Sequence, residues 1–110
     1  MYIDFNVKDK NYKLRLATRN IVALEKAIGC NPLGIFKSEN ELPEVTTMVT
    51  ILFHSMQKFN HGISLTDAYD IFDEYLEEHS ATDFINVILD IYKVSGIIRN
   101  DENVKTDAKN

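Results

Sequence analysis

The stretch SLTDAYDIFDEYLEEHSATDFINVILDIYKV, residues 64–94, decides the fold class because it carries two helix starts of the same kind. Ser64 is followed three residues later by Asp67, and Ser80 is followed three residues later by Asp83. A serine before a helix and an acidic residue at its third position resemble a capping box, with aspartate in place of glutamate. We therefore predict two consecutive helices, each beginning directly after its serine.

The first of these helices has cleanly separated faces. Its carboxylates fall within an arc of roughly 140° at helical spacing, and apolar side chains occupy the opposite side. This acidic arc consists of Asp67, Asp70, Asp73, Glu74, Glu77 and Glu78. A calcium site needs a loop that wraps about six to eight oxygens around the ion, and a di-iron bundle needs Glu-x-x-His motifs on two helices. The sequence has neither motif, so we interpret the arc as a solvated helix face.

The second helix of the stretch is apolar around much of its circumference. At helical spacing its apolar side chains cover an arc of roughly 220°, which leaves little surface for water. The apolar set is Phe84, Ile85, Val87, Ile88, Leu89, Ile91, Tyr92 and Val94. Such a helix needs cover on two sides, and two interpretations stay open: burial by its own chain, or a face kept for a partner.

Two short segments near the N-terminus alternate apolar with polar side chains, which is the pattern of β-strands. They are YIDFNV and NYKLRL, separated by KDK. Ile3, Phe5 and Val7 fall on one face, so we predict a two-stranded hairpin. Because the turn has no Asn-Gly or Asp-Gly pair, we expect a connection around Asp9 that is longer than two residues.

Between the hairpin and the two capped helices, the sequence predicts three further helical segments. Thr18 is placed to cap a first helix, which Gly29 would end in a left-handed conformation. Pro32 suits the first turn of a short helical piece, PLGIFK, and the polar loop SENELP follows it. A long amphipathic helix should then run from Pro43 towards Gly62.

Together the segments predict a mainly α fold, in which an N-terminal two-stranded β-hairpin is followed by four to five helices in a small bundle. We expect a single domain over residues 1–98, since a chain of 110 residues is near the commonest size for one domain. After Ile98 the sequence RNDENVKTDAKN is charged and poor in apolar residues, so we expect residues 99–110 to form a disordered polar tail.

The composition, with 45% hydrophobic and 26% charged residues, is typical of soluble globular proteins. The formal net charge is -5 and the basic residues are scattered, which argues against nucleic-acid binding. The single cysteine, Cys30, cannot form an internal disulfide, and there is neither a signal peptide nor an apolar run of roughly 20 residues. We expect a cytoplasmic protein that binds neither nucleic acid nor a membrane.

No catalytic, cofactor-binding or phosphate-binding motif stands out. The spacing of Cys30, His54, His61 and His79 indicates no catalytic pair, and the glycines form neither a Walker loop nor a dinucleotide fingerprint. An enzymatic alternative is a small metal-dependent hydrolase, in which part of the acidic arc would have to converge with ligands from a second element. Its residues would be Asp70, Asp73, Glu74, Glu77 and His79. We therefore predict a protein that is not an enzyme and holds no cofactor or metal.

Several strings occur in an order that resembles a known family. They are YKLRLATRNIVALEKAIGCNPLGIF, LPEVTTMVTILFHSMQKFNHGIS, DAYDIFDEYLEE and NVILDIYKVSGII. The most telling pieces are Asn-Pro-Leu after the first helix, QKFNHGIS (residues 57–64) and DIFDE (residues 70–74). Over residues 10–98 or so, the chain resembles the small tail assembly chaperones of long-tailed (siphovirus-type) phages and prophages of Gram-positive bacteria.

The resemblance implies a non-enzymatic assembly factor in the cytoplasm of the bacterial host. Such a chaperone coats the long, apolar-rich tape-measure protein, keeps it soluble and helps to bring tail-tube subunits to it. In this family a longer product, made by ribosomal frameshifting, often recruits the tube protein. The present chain looks like the short form, and we expect it to be a homo-oligomer.

Partner binding through apolar surface would involve the helix after Pro43 and the last helix. Apolar positions towards their ends predict contacts at Phe53, Met56, Phe59, Ile91, Tyr92 and Val94. Some of these residues must instead belong to the core, where alanine replacement would unfold the domain. An alternative function relies on the acidic arc and describes a small phage-encoded inhibitor or adaptor that binds a basic host or phage protein.

Overall fold

The computed structural model describes residues 1–37 and 41–99. The elements are β1 (Ile3–Val7), β2 (Lys10–Leu14), α1 (Thr18–Ile28), a short 3₁₀ helix (Pro32–Ile35), α2 (Val45–Met56), α3 (Leu65–Tyr75) and α4 (Ala81–Val94). The predicted order of a hairpin followed by helices is confirmed, with four α-helices in the described residues. The first half of the predicted SENELP loop, residues 38–40, and residues 100–110 of the predicted polar tail lie outside these ranges.

The two strands form an antiparallel hairpin with a shorter connection than the sequence predicts. Val7 pairs with Lys10, so Lys8 and Asp9 alone form the loop, and the expected longer connection is wrong. Lys8 takes a left-handed φ of 57°, as the first residue of some two-residue hairpin turns must. Its side chain forms a salt bridge with Glu77, which lies just after α3. The sequence of the turn by itself gives no sign of this distant partner.

The helix starts of α3 and α4 are the predicted capping boxes. The Asp67 N–H donates to Ser64 Oγ at 3.0 Å, and the Ser64 N–H donates to the Asp67 carboxylate at 2.9 Å. Ser80 and Asp83 repeat both bonds at the same two distances. The hydrogen bonds of the Ser64 backbone and hydroxyl hold the pKa of Asp67 below its usual range. The equivalent bonds of Ser80, with His79 nearby, lower the pKa of Asp83.

The N-cap of α1 lies one residue earlier than the sequence predicts. The N-cap is Ala17, and Thr18 is the first helical residue, because Asn20 accepts a hydrogen bond from the Ala17 N–H at 3.0 Å. The predicted C-cap is confirmed, since Gly29 adopts a left-handed φ of 78° and donates to the Glu25 carbonyl at 2.8 Å.

Helix α2 ends at Met56, well before Gly62, so the prediction that it runs on past Phe59 is wrong. Polar side chains close its last turn. The Asn60 amide and the Asn60 N–H both donate to the Met56 carbonyl, at 2.9 and 3.0 Å, and Gln57 Nε2 donates to the Phe53 carbonyl at 2.9 Å. Phe59 therefore lies in the turn that follows the helix.

One apolar core joins the hairpin to all four helices. Leu14, Leu24, Ile51, Ala68 and Ile88 come from β2, α1, α2, α3 and α4 in turn, and each is fully buried. Every element thus gives side chains to the same cluster. Among the described residues, none of the helices is long and apolar enough to cross a membrane.

An aromatic group under the hairpin ties the first strand to the last two helices. The Phe5 ring centroid lies 5.3 Å from that of Tyr75 and 6.0 Å from that of Phe84. Phe72 meets Phe84 edge-on at 5.1 Å. Tilted and edge-to-face contacts at these distances are favourable beyond simple burial, so β1 is anchored on α3 and α4.

The wide apolar arc of α4 is only partly covered by the rest of the chain. Phe84, Ile88, Ile91 and Tyr92 are buried along its centre. The flanking residues Ile85, Val87, Leu89 and Val94 are half-buried. The chain's own burial thus accounts for the centre of the arc, and its flanks keep partial access to solvent.

Candidate partner-binding surface

Three of the six predicted partner contacts are core residues. Met56, Ile91 and Tyr92 have no exposed surface. The Tyr92 hydroxyl donates to the Pro32 carbonyl at 2.8 Å, and burial raises the pKa of this phenol well above its usual range. These three residues belong to the part of the predicted set that had to be core, and they present no surface to a partner in this fold.

The other three predicted contacts keep access to solvent. Phe59 is 39% exposed, whereas Phe53 and Val94 are half-buried. Phe59 is therefore the member of the set that a partner can reach most readily. The structure does not gather all six residues into one surface.

Phe59 pairs with a second exposed ring at the start of the chain. The ring centroids of Tyr2 and Phe59 are 5.3 Å apart with an interplanar angle of 59°, and Tyr2 is 41% exposed. Lys13 Nζ lies 5.3 Å from the Tyr2 centroid, and Lys58 Nζ lies 5.5 Å from the Phe59 centroid. Tyr2, Phe59, Lys13 and Lys58 form a surface that we call the aromatic patch.

The Asn60 amide positions the aromatic patch by bracketing β2. The Lys13 N–H donates to Asn60 Oδ1 at 3.1 Å, and Asn60 Nδ2 donates to the Lys13 carbonyl at 2.6 Å. Both backbone groups of one strand residue are thus satisfied by one side chain from the turn after α2. This contact sets Phe59 and Lys58 beside the beginning of the hairpin.

Arg15 connects the same region to the end of α4. Its guanidinium donates to the Met1 carbonyl at 3.2 Å and to the Val94 carbonyl at 3.3 Å. The Leu16 N–H donates to Ser95 Oγ at 2.8 Å. The residues before β1, the turn after α2 and the end of α4 therefore meet on one side of the molecule, and Val94 lies in this region.

The charges of the aromatic patch contrast with those of the chain as a whole. Two lysines accompany the exposed rings, although the formal net charge of the protein is -5.

The carboxylates of the acidic arc, on α3 and the turn after it, are all exposed, and Glu77 is bound to Lys8. The described residues contain no group of three or more side chains arranged to hold a metal ion.

A concavity of about 600 Å³ lies between the end of α1, the 3₁₀ helix and the start of α2. Its lining includes Ile28, Cys30, Leu42 and Thr47. No histidine is among its described lining residues, so the Cys30 thiol has no imidazole beside it there. The hollow is open to solvent.

Sequence reasoning missed Tyr2, although a signal was available. Tyr2 lies two residues before Asp4 and four before Asn6, and this alternate spacing places its ring on the polar face of the hairpin. A large aromatic side chain on a face that is otherwise polar is the informative kind of exposure. Its pairing with Phe59 depends on the turn after α2 and has no local signature.

Comparison with known proteins identifies the chain by family alone. No curated protein and no solved structure matches it significantly. One family model does match, over residues 4–110, which is nearly the whole sequence. The chain therefore belongs to the family described as "Family of unknown function (DUF6096)".

Proposed function

We propose that this protein is a tail assembly chaperone of a long-tailed phage or prophage. In the cytoplasm of the bacterial host it binds the tape-measure protein, keeps that protein soluble and helps to recruit tail-tube subunits, the latter through a longer frameshifted form. It acts by binding and performs no chemical reaction. The proposal starts from the resemblance of the sequence strings to such chaperones.

The aromatic patch is the observation that carries the proposal. The exposed rings of Tyr2 and Phe59 lie next to each other in a tilted arrangement, in a domain that has an apolar core of its own. Aromatic residues dominate the energetic centres of protein interfaces, because they bury much area with few rotatable bonds. A pair of them on the surface suits a chaperone that covers apolar side chains of another protein.

The lysines of the patch define the chemistry of the segment it would bind. The ammonium groups of Lys13 and Lys58 lie over the rings of Tyr2 and Phe59, so a bound helix would place apolar residues against the exposed parts of the rings and carboxylates near the ammonium groups. A long, largely helical tape-measure protein with amphipathic segments can offer this combination repeatedly. We expect its preferred segments to be amphipathic helices with acidic residues at the border of the apolar stripe.

Alanine variants of the patch test the proposal. We expect Phe59→Ala and Tyr2→Ala each to weaken binding to the tape-measure protein of the same genome by roughly 10- to 30-fold, which corresponds to about 1.4–2 kcal/mol and approaches the threshold for an interface hot spot. Both residues are about two-fifths exposed and outside the core, so the melting temperature should stay close to that of the wild type. Binding is measured by co-purification and titration calorimetry, with melting curves on the same samples.

Leu33→Ala is the matched control, since Leu33 is an apolar residue with 46% exposure that lies outside the patch. It should bind like the wild type. If the folded Phe59→Ala and Tyr2→Ala proteins also bind like the wild type, the patch does not contact the partner. A gene neighbourhood without a tape-measure gene would count against the function itself.

The exposed acidic arc supports one alternative, a small inhibitor or adaptor that binds a basic protein. Charge reversal at Asp70 and Asp73, which have no salt bridge in the described residues, separates the two functions. An acidic inhibitor would lose its binding and the salt dependence of that binding. A tape-measure chaperone that uses the aromatic patch would keep nearly all of its affinity.

A further inference from the structure

The rest of the chain closes part of one outer edge of the hairpin and leaves the other outer edge open. The outer edge of β2 is closed, because Asn60 satisfies both backbone groups of Lys13 and the Arg15 N–H donates to the Ser55 carbonyl at 2.8 Å. Strand β2 therefore has no room for a further strand along this part of its edge.

The outer edge of β1 is open. Asp4 is directly opposite Lys13, whose backbone groups point away from β1, so this is a non-hydrogen-bonded pair and the backbone groups of Asp4 point away from β2. By the same alternation, the backbone groups of Asn6 also point away from β2. Across residues 1–37 and 41–99, the backbone N–H and C=O groups of Asp4 and Asn6 make no hydrogen bond.

Strand β1 carries little of the usual protection of an edge strand apart from the charge of Asp4. Its sequence, IDFNV, contains no proline or lysine, and its pairing with β2 is regular, without a bulge. Natural edge strands commonly use such devices to prevent pairing with another chain. A sheet of two strands is also marginal by itself, and gains from additional strands.

We propose that β1 pairs antiparallel with β1 of a second copy of this chain, which makes a four-stranded sheet across a two-fold axis. Asp4 and Asn6 of each copy supply the backbone hydrogen bonds, and each pair exchanges two N–H···O bonds. The inference concerns the chain alone and does not rest on the proposed function.

The charge of Asp4 selects the register of this pairing. Outward-facing residues must face one another, so Asp4 stands opposite Asn6 of the partner subunit, opposite Asp4 of the partner subunit, or opposite the partner's Lys8. The last of these registers pairs fewer strand residues than the first, because Lys8 lies in the turn beyond the end of β1. The second register sets two carboxylates directly across from each other, which is destabilising. The first register gives each carboxylate an amide neighbour, and symmetry provides that contact twice.

The favoured register also continues both faces of the sheet. Phe5 falls opposite Phe5 of the partner subunit, and Ile3 falls opposite Val7 of the partner subunit, so apolar residues meet on the core side. Asp4, Asn6 and Asn11 stay together on the polar side. A strand whose own sequence is complementary to itself in one register is suited to a second copy as its occupant.

Sedimentation equilibrium of the chain alone, over about 5–500 µM, tests the proposal, since a short edge pair predicts a weak dimer. Asn6→Lys should tighten the dimer by roughly 2- to 30-fold, because it places an ammonium opposite Asp4 of the partner subunit at two symmetric positions. Asn6→Asp should weaken the dimer by a similar factor, because it places two carboxylates opposite each other.

Asn11→Lys is the matched control. It breaks the same side-chain bond, in which Asn11 Nδ2 donates to Asn6 Oδ1 at 2.7 Å, and it adds the same charge to the same face, but on β2. It should dimerise like the wild type. The proposal is overturned if the wild type stays monomeric throughout, if both lysine variants behave alike, or if the monomer instead binds a partner's extended segment at β1. None of these results bears on tape-measure binding by the aromatic patch.

Discussion

At the scale of single residues, Asn60 does more for the arrangement of the molecule than its small polar side chain suggests. Its amide satisfies the N–H and C=O of Lys13 and also donates to the Met56 carbonyl at the end of α2. One side chain thus ends a helix, closes a strand edge and places Phe59 next to Tyr2.

We expect Asn60→Ala to lower the free energy of unfolding by about 1–3 kcal/mol, because the part-buried backbone groups of Lys13 lose their partner. Urea denaturation followed by circular dichroism measures this change. Asn11→Ala is the control, since it removes an amide bond that is fully exposed and should cost less than about 0.5 kcal/mol. Equal losses in the two variants would contradict the role given to Asn60.

The residue-scale features that the sequence could not predict all depend on distant partners. Lys8 adopts its left-handed turn next to Glu77, and Asn60 reaches back to Lys13. No window of neighbouring residues contains both members of either pair. For the same reason Phe59 was predicted as a surface contact on a helix, whereas its exposure comes from a turn after the helix.

At the scale of elements, the starts of α3 and α4 were the most predictable features and the end of α2 the least. A capping box is complete within four residues, so Ser64 with Asp67 and Ser80 with Asp83 could be recognised without any tertiary information. Gly29 marked the end of α1 equally locally. The end of α2 was missed, because apolar spacing continues past Met56 to Phe59 while the backbone turns away.

The capping carboxylates predict how stability depends on pH. The pKa values of Asp67 and Asp83 are lowered in the folded state, so the unfolded chain binds more protons in acid. Their contribution is therefore complete above the unfolded pKa of about 4 and is lost as the pH falls through the folded values. Melting temperatures between about pH 6 and pH 2.5 should fall less steeply for the double variant Asp67→Asn/Asp83→Asn than for the wild type. Parallel curves for the two proteins would contradict this prediction.

At the scale of the whole molecule, the shared core makes the hairpin and the helices depend on one another. Phe5 is 4% exposed and touches Tyr75 and Phe84, so β1 is buried against α3 and α4. The mainly α order of elements followed from sequence patterning. Whether α4 was central or kept a free face did not, because that depends on which helices pack against its flanks.

We expect Phe5→Ala to lower the free energy of unfolding by about 3–5 kcal/mol, since it leaves a cavity among buried rings. The wild type should unfold in a single transition that coincides in far-ultraviolet circular dichroism and in tyrosine near-ultraviolet signals. Val22→Ala, at a residue with 44% exposure, should change stability by less than about 0.5 kcal/mol. Separate transitions for the two signals would mean that tertiary packing and secondary structure are lost in different steps, which would contradict a single cooperative core.

The contact between Phe5 and Phe84 can form only late in the synthesis of the chain on the ribosome. The hairpin is made early, but the ring that covers its apolar side is added about 80 residues later, which takes roughly 4–16 s at ordinary translation speeds. Until then the cover over the apolar face of β1 is incomplete, and the edge of the strand is also open. The nascent chain is therefore most vulnerable to mispairing on crowded polysomes, and slow codons between α1 and α4 would lengthen that exposure.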